Sequence, residues 1–331
     1  MLFAFRPPLG KVRGKGPSMR FHRVIVGIAF LVFRSAIAAA PAAAEDILDE
    51  ASPPGTNFER AEFRLWLPAE AALVRGVLVL VPGSNDDGRA MVDDPVWRAF
   101  AVRQRLAVVA CHFADRHHDQ DFIEDYVYAA HGSGQALLDA LTRLSRRAQH
   151  PELADAPLLL WGMSAGGEFN YEFTAWKPER VIAFVVNKGG IYYTALTSKA
   201  ARAVPGLLFT GGLDLGSRTD TIKGLFALNR RAGALWALTE EPKAGHVVGR
   251  SRELALLYFE DVLALRVAEP GSPLRAVQAG SGYLGDIRKR GLLPVRSATV
   301  TEADTAWLPT ERVSRAWRSV VTDEPFNADL P

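Results

Sequence analysis

The residues Gly162-Met163-Ser164-Ala165-Gly166-Gly167 place a serine between glycines, directly after the apolar run 158–161 and directly before a segment of helical period, 165–176. A G-x-S-x-G set between strand and helix is a nucleophile elbow: the glycines let neighbouring backbones approach, and the hydroxyl stands near the positive end of the following helix. The plain alternative is an ordinary glycine-rich turn. A serine hydroxyl is a poor nucleophile without a base, and the base must itself be oriented. In elbow sites the order along the chain is serine, acid, histidine. Of the seven histidines only His246 follows Ser164, in Lys243-Ala244-Gly245-His246-Val247-Val248-Gly249. For the acid, Gly211-Gly212-Leu213-Asp214 leaves the end of an apolar run at 207–210, which puts Asp214 within reach of the ring nitrogen turned away from the serine. Asp220 is the rival, although its place at the start of a helical pattern suits an N-terminal cap.

An oxyanion hole needs two backbone N–H groups aimed at the developing charge. One is expected from Ala165. The other is expected from Pro82-Gly83-Ser84-Asn85-Asp86-Asp87-Gly88, with the Ser84 amide first and Asn85 second. Three further residues are candidates for substrate binding: His112, Lys188 and Tyr192. Residues 111–121 (C-H-F-A-D-R-H-H-D-Q-D) are dense in possible ligands for zinc or calcium, but adjacent histidines point apart, so a polar substrate-facing or solvated loop is preferred and no metal is assigned. Lys188 and the aromatics of Asn187-Lys188-Gly189-Gly190-Ile191-Tyr192-Tyr193 could line a pocket; packing of the same tyrosines under the C-terminal residues is the alternative.

The elements that must position these groups follow from hydrophobic pattern. Residues 63–67 alternate, as a half-buried edge strand does. Gly76–Val81 is continuously apolar, as expected of a parallel strand covered on both faces, and 106–113, 158–162, 181–187, 207–211 and 235–239 are similar. Helical periods lie between them at 95–103, 135–147, 165–176, 219–231 and 252–266. This alternation predicts an α/β fold, a mostly parallel sheet with helices on both faces. Residues 268–331 lack the rhythm and read as a C-terminal extension packed on the domain through Trp307, Trp317 and Phe326, with one short helix at 312–321.

Residues 1–44 hold seven basic residues and no acidic one, then an apolar run at 24–33 and the small residues Ala42-Ala43-Ala44 before Glu45. This is the pattern of a secretory signal cleaved after Ala44, with Met19 a second candidate start. The run is too short to cross about 30 Å of hydrocarbon, so stable membrane insertion is not expected. Residues 45–57, rich in Pro, Gly and acidic residues, read as a linker into a domain at 58–267. The full chain of 331 residues carries a formal charge of +2, but without the leading segment 32 basic residues face 37 acidic ones, a net of −5. A nucleic-acid partner is therefore not expected. The single cysteine, Cys111, excludes an internal disulfide and a multi-thiolate metal site.

Through P-G-S-N at 82–85, G-M-S-A-G-G at 162–167, G-G-L-D at 211–214 and G-H at 245–246, the chain resembles the α/β-hydrolase superfamily over residues 58–266. More narrowly, through C-H-F at 111–113, W-K-P-E-R at 176–180, N-K-G-G at 187–190 and W-L-P at 307–309, it resembles a group of secreted bacterial serine hydrolases. The resemblance implies Ser164, Asp214 and His246 as a triad acting on a carbonyl substrate, with no cofactor. It departs from many esterases in lacking an H-G-G-G oxyanion loop, and no large cap domain fits between 187 and 207. The expectation is a secreted carboxylic-ester hydrolase acting on a small-molecule or polymer-linked ester. A peptidase or acyltransferase on the same triad and a catalytically silent binding protein are the alternatives.

Overall fold

The computed structural model describes residue 14, 46–69, 73–120, 123–293 and 302–325. The leading segment, its cleavage site and Phe326 lie outside the described residues. Eight strands form one sheet: β1 (Asp46–Ser52), β2 (Arg60–Leu67), β3 (Gly76–Val81), β4 (Leu106–Ala114), β5 (Leu158–Met163), β6 (Val181–Asn187), β7 (Gly206–Gly211) and β8 (Trp236–Glu241). Their order is β1-β2-β4-β3-β5-β6-β7-β8. β1 and β2 run antiparallel to their neighbours and the rest are parallel.

The apolar strands are buried on both faces, as their sequences predict. Val77, Val79 and Val81 of β3 enter one apolar cluster, with Leu137 and Leu141 of α2 (Ser133–Arg147) and Phe169 and Phe173 of α3 (Ala165–Trp176). Leu78 and Leu80 enter the other, with Trp97 and Phe100 of α1 (Pro95–Gln104) and Leu254 and Tyr258 of α6 (Ser251–Arg266). A short α4 (Lys199–Arg202) and the longer α5 (Gly216–Arg231) complete the layers. This sheet order, with helices on both faces, is the α/β-hydrolase fold. Because the chain passes from β3 outward to β4 and then returns to the far side of β3 as β5, the direction of winding reverses between β3 and β5. Ligand crevices in open parallel sheets form outside the carboxyl ends of strands at such a point.

Two expectations are corrected. Residues 46–52 are not a linker but the edge strand β1, paired with β2 from Asp46↔Leu67 to Ser52↔Ala61. Its acidic residues have partners across the strand and on α2: Arg64 Nε donates to Asp49 at 2.7 Å, while Arg143 and Arg147 donate to Glu50 at 2.7 and 2.8 Å. The C-terminal extension holds an unforeseen three-stranded antiparallel sheet, β9 (Tyr283–Asp286), β10 (Gly291–Leu293) and β11 (Thr305–Leu308), before α7 (Glu311–Val321). Trp317 is buried against the domain, its indole N–H donating to the Leu238 carbonyl of β8 at 2.8 Å, whereas Trp307, also buried, donates to the Ala279 carbonyl (3.0 Å) within the extension itself. Among the described residues no helix is long and apolar enough to cross a membrane.

Candidate active site

Ser164 occupies the turn from β5 into α3 at φ 54°, ψ −125°, a strained conformation for a residue with a Cβ. The flanking glycines are demanded by contact. A Cβ on Gly162 would lie 2.2 Å from the Gly166 carbonyl oxygen, and one on Gly166 would lie 2.2 Å from that of Val81. The turn can close only if both positions lack side chains.

Three loops converge on this serine. His246, after β8, sets Nε2 at 3.0 Å from Ser164 Oγ and Nδ1 at 2.9 Å from Asp214 Oδ2. Asp214 leaves the end of β7, and its side chain is only 3% exposed. Its other oxygen accepts from the Leu215 N–H at 2.7 Å and from Arg218 Nη1 at 3.1 Å. Burial works to raise the pKa of Asp214, but the hydrogen bonds from His246, Leu215 and Arg218 outweigh it and hold the carboxyl below the ordinary aspartate value. A charged carboxylate there favours the imidazole tautomer with its proton on Nδ1, leaving Nε2 free to face the serine. Asp220 is exposed in the second turn of α5, and both ring nitrogens of His246 are taken by Asp214 and Ser164.

The loop after β3 passes beside the serine: a Cβ on Gly83 would lie 3.9 Å from that of Ser164. The Asn85 amide is engaged, donating to Tyr126 Oη at 3.3 Å. The Ser84 amide has no partner among the described residues. Ala165 opens α3, where the first N–H groups of a helix are unpaired.

The structure gives Lys188, His112 and Tyr192 partners other than the serine. Lys188 is fully buried, because β6 runs on into a left-handed residue (φ 59°) that turns the side chain inward. Its Nζ donates to Glu241 Oε1 at 2.8 Å, the Val247 carbonyl at 2.9 Å and Asn187 Oδ1 at 3.1 Å. All three donors are used, and two hold the loop that carries His246. Asn187 Nδ2 adds bonds to the Val248 carbonyl (3.2 Å) and Ser251 Oγ (2.8 Å), and Glu241 Oε2 accepts from the Arg250 N–H at 2.9 Å. His112 faces Glu62 across the β2–β4 pair, Nδ1 to Oε2 at 3.2 Å, instead of the serine, since it lies opposite Glu62 in register. Tyr192 packs against the core, edge-on to Tyr171 with ring centroids 5.0 Å apart. Residues 111–120 do not converge on one metal either: Cys111 is in the core, His112 meets Glu62, and His118 meets Asp115 at 3.3 Å.

Beside Ser164 lies a cleft of about 360 Å³, lined by Ile123, Glu124, Glu168, Ile191, Leu215 and Arg218 among others. Sequence reasoning missed Glu168, although its spacing of four from Ser164 on one helix face was a usable signal. Glu124 sits in an irregular loop and gave none. Burial lifts the Glu168 carboxyl to about 7, against the pull of hydrogen bonds from the Gly190 and Ile191 amides.

No family model matches the chain, and no curated protein sequence does. Among solved structures it is similar to a ferulic acid esterase, at 10% identity and a TM-score of 0.49, over 66% of this chain and 98% of the other. It is similar also to the poly(3-hydroxybutyrate) depolymerase LpqC from Bordetella parapertussis, at 18% identity and a TM-score of 0.48, over 69% and 92%. A third is an S-formylglutathione hydrolase from Staphylococcus aureus, at 12% and 0.45, over 66% and 96%. At such identities and scores, the fold assignment rests on the sheet order and strand directions themselves.

Proposed function

We propose that this protein is a serine hydrolase that cleaves carboxylic esters through an acyl-enzyme, and that it works outside the cytoplasm once residues 1–44 are removed. The observation that carries the reading is the chain of contacts from Ser164 Oγ to His246 Nε2 (3.0 Å) and from His246 Nδ1 to Asp214 Oδ2 (2.9 Å), on a strained elbow. His246 takes the serine proton as Oγ attacks the ester carbonyl. The amides of Ala165 and Ser84 receive the oxyanion, a task for which preorganised N–H groups suit far better than water. His246 then protonates the departing alcohol. Water, activated by the same ring, attacks the acyl-serine and releases the acid. Asp214 keeps the tautomer and stabilises the imidazolium throughout. The mechanism needs no cofactor, and the substrate is a small-molecule or polymer-linked ester.

A fluorophosphonate probe tests this. It should label the folded wild-type protein at Ser164, fail on Ser164→Ala and label Asp220→Ala normally. Absence of labelling in folded wild-type protein would refute the hydrolase reading. Labelling lost in Asp220→Ala and kept in Asp214→Ala would reassign the acid.

A further inference from the structure

Glu124 and Glu168 come from different parts of the chain, yet both line the cleft that contains Ser164, and each is only 3% exposed. Oε1 of Glu168 accepts from the Gly190 N–H at 2.5 Å. Its Oε2, and Oε1 of Glu124, are buried without a hydrogen-bond partner. Among the described residues neither carboxyl forms an ion pair. Arg218, the cation in the same cleft, is bound to Asp214 Oδ1 at 3.1 Å.

A buried carboxylate is normally paired, because desolvation disfavours its charge unless a cation or several hydrogen bonds offset it. Two such groups beside a nucleophile, with one oxygen of each unsatisfied, leave the cleft short of a positive partner. We propose that this partner arrives with the substrate: Glu124 and Glu168 form a subsite for a primary ammonium group. The rest of the lining agrees with an aminoalkyl chain. Ile123, Ile191 and Leu215 offer apolar surface for the hydrocarbon stem, and Ser217 and Thr221 supply hydroxyls.

Glu168 is also close to the nucleophile along the chain. The Glu168 N–H donates to the Ser164 carbonyl at 3.1 Å, so the two residues stand one helical turn apart, a rise of about 5.4 Å. Because Ser164, Glu124 and Glu168 line one cleft, the substrate this arrangement suits carries its ammonium a short hydrocarbon chain from the ester carbonyl. Burial is the main cause of the upward shift of Glu168, with the Glu124 charge adding to it and the Arg218 charge offsetting only part of it; a bound ammonium would lower the carboxyl further. The substrate class drawn from this is an ester whose acyl part carries a terminal amine. It rests on the hydrolase reading above; the binding site itself does not.

The test separates the two. Equilibrium binding of benzylammonium and of neutral benzyl alcohol is measured by calorimetry at pH 8, with no turnover needed. The ammonium should bind the wild-type protein at least about tenfold more tightly, and the advantage should vanish in Glu168→Gln and in Glu124→Gln, with folding checked by circular dichroism. Equal affinity for the two probes on wild-type protein overturns the subsite, whatever the variants do. For turnover, kcat/KM is compared between the p-nitrophenyl esters of Nα-benzyloxycarbonyl-lysine and -norleucine. The lysine ester should be favoured at least about tenfold, and the ratio should fall towards one in the two variants. A preference for norleucine, or no preference, overturns the substrate assignment even if the ammonium binds. Ammonium binding without any fluorophosphonate labelling would uphold the subsite and refute the hydrolase reading alone.

Discussion

At the scale of single residues, the site is a set of atoms whose roles depend on two hydrogen bonds to one imidazole. Asp214 is the informative one. Its side chain is almost wholly enclosed, and its charge is kept by donors on three sides: the His246 ring, the Leu215 amide and the Arg218 guanidinium. Asparagine in its place would present an amide that can donate, which stabilises the wrong tautomer of His246 while filling the same volume. Asp214→Asn is therefore expected to fold normally and to lose kcat by about 10⁴-fold with little change in KM. Steady-state kinetics on a p-nitrophenyl ester, beside a thermal melt, checks both halves. Ser164, His246 and Asp214 were legible in the sequence because each sits at the end of a recognisable apolar run or within a glycine-marked loop. Lys188 was misread for the same reason. It also follows a strand at the site end of the sheet, but its left-handed backbone turns the side chain inward, which residue type and order do not reveal.

At the scale of elements, the end of β6 acts as a clasp on the histidine loop. Lys188 bridges Glu241 at the end of β8 and the Val247 carbonyl next to His246, while Asn187 ties down Val248 and Ser251. A buried ion pair broken on one side leaves an unpaired charge, at a cost of about 3–5 kcal/mol. Lys188→Met should therefore lower the melting temperature strongly. The double variant Lys188→Met, Glu241→Leu removes both charges and should recover most of that stability. It restores neither the bond to the Val247 carbonyl nor the one from the Arg250 N–H to Glu241, so kcat should stay about 10-fold down with KM nearly unchanged. Recovery of kcat together with stability would show that the clasp holds the fold and not the histidine. Nothing in residue spacing signalled this contact, since 53 positions separate Lys188 from Glu241. The apolar runs of β6, which leads into Lys188, and of β8, which ends at Glu241, were in contrast plain from the sequence.

At the scale of the whole molecule, charge and edge protection meet near the start of the described domain. The acidic residues at 46–50 suggested a solvated linker, yet β1 covers the outer edge of β2 and brings Asp49 and Glu50 to arginines from β2 and α2. An uncovered edge strand is a template for aggregation. A chain beginning at Glu45, the product of the proposed cleavage, keeps β1 whole. A chain beginning at residue 53 should melt about 5–10 °C lower, from about 2–3 kcal/mol of lost pairing, and should aggregate on storage; differential scanning calorimetry and light scattering check this. The sequence by itself determined the strand–helix alternation, the elbow and the order of serine, aspartate and histidine. Those follow from local physics: side-chain period, backbone room at glycine, and the few titratable residues placed after strand ends. Only the tertiary structure decided where buried charge goes. The placement of Lys188 under the histidine loop, and of Glu124 beside the serine, depends on contacts between segments far apart in the chain, and electrostatic energy is set by distance and burial, which sequence order does not contain.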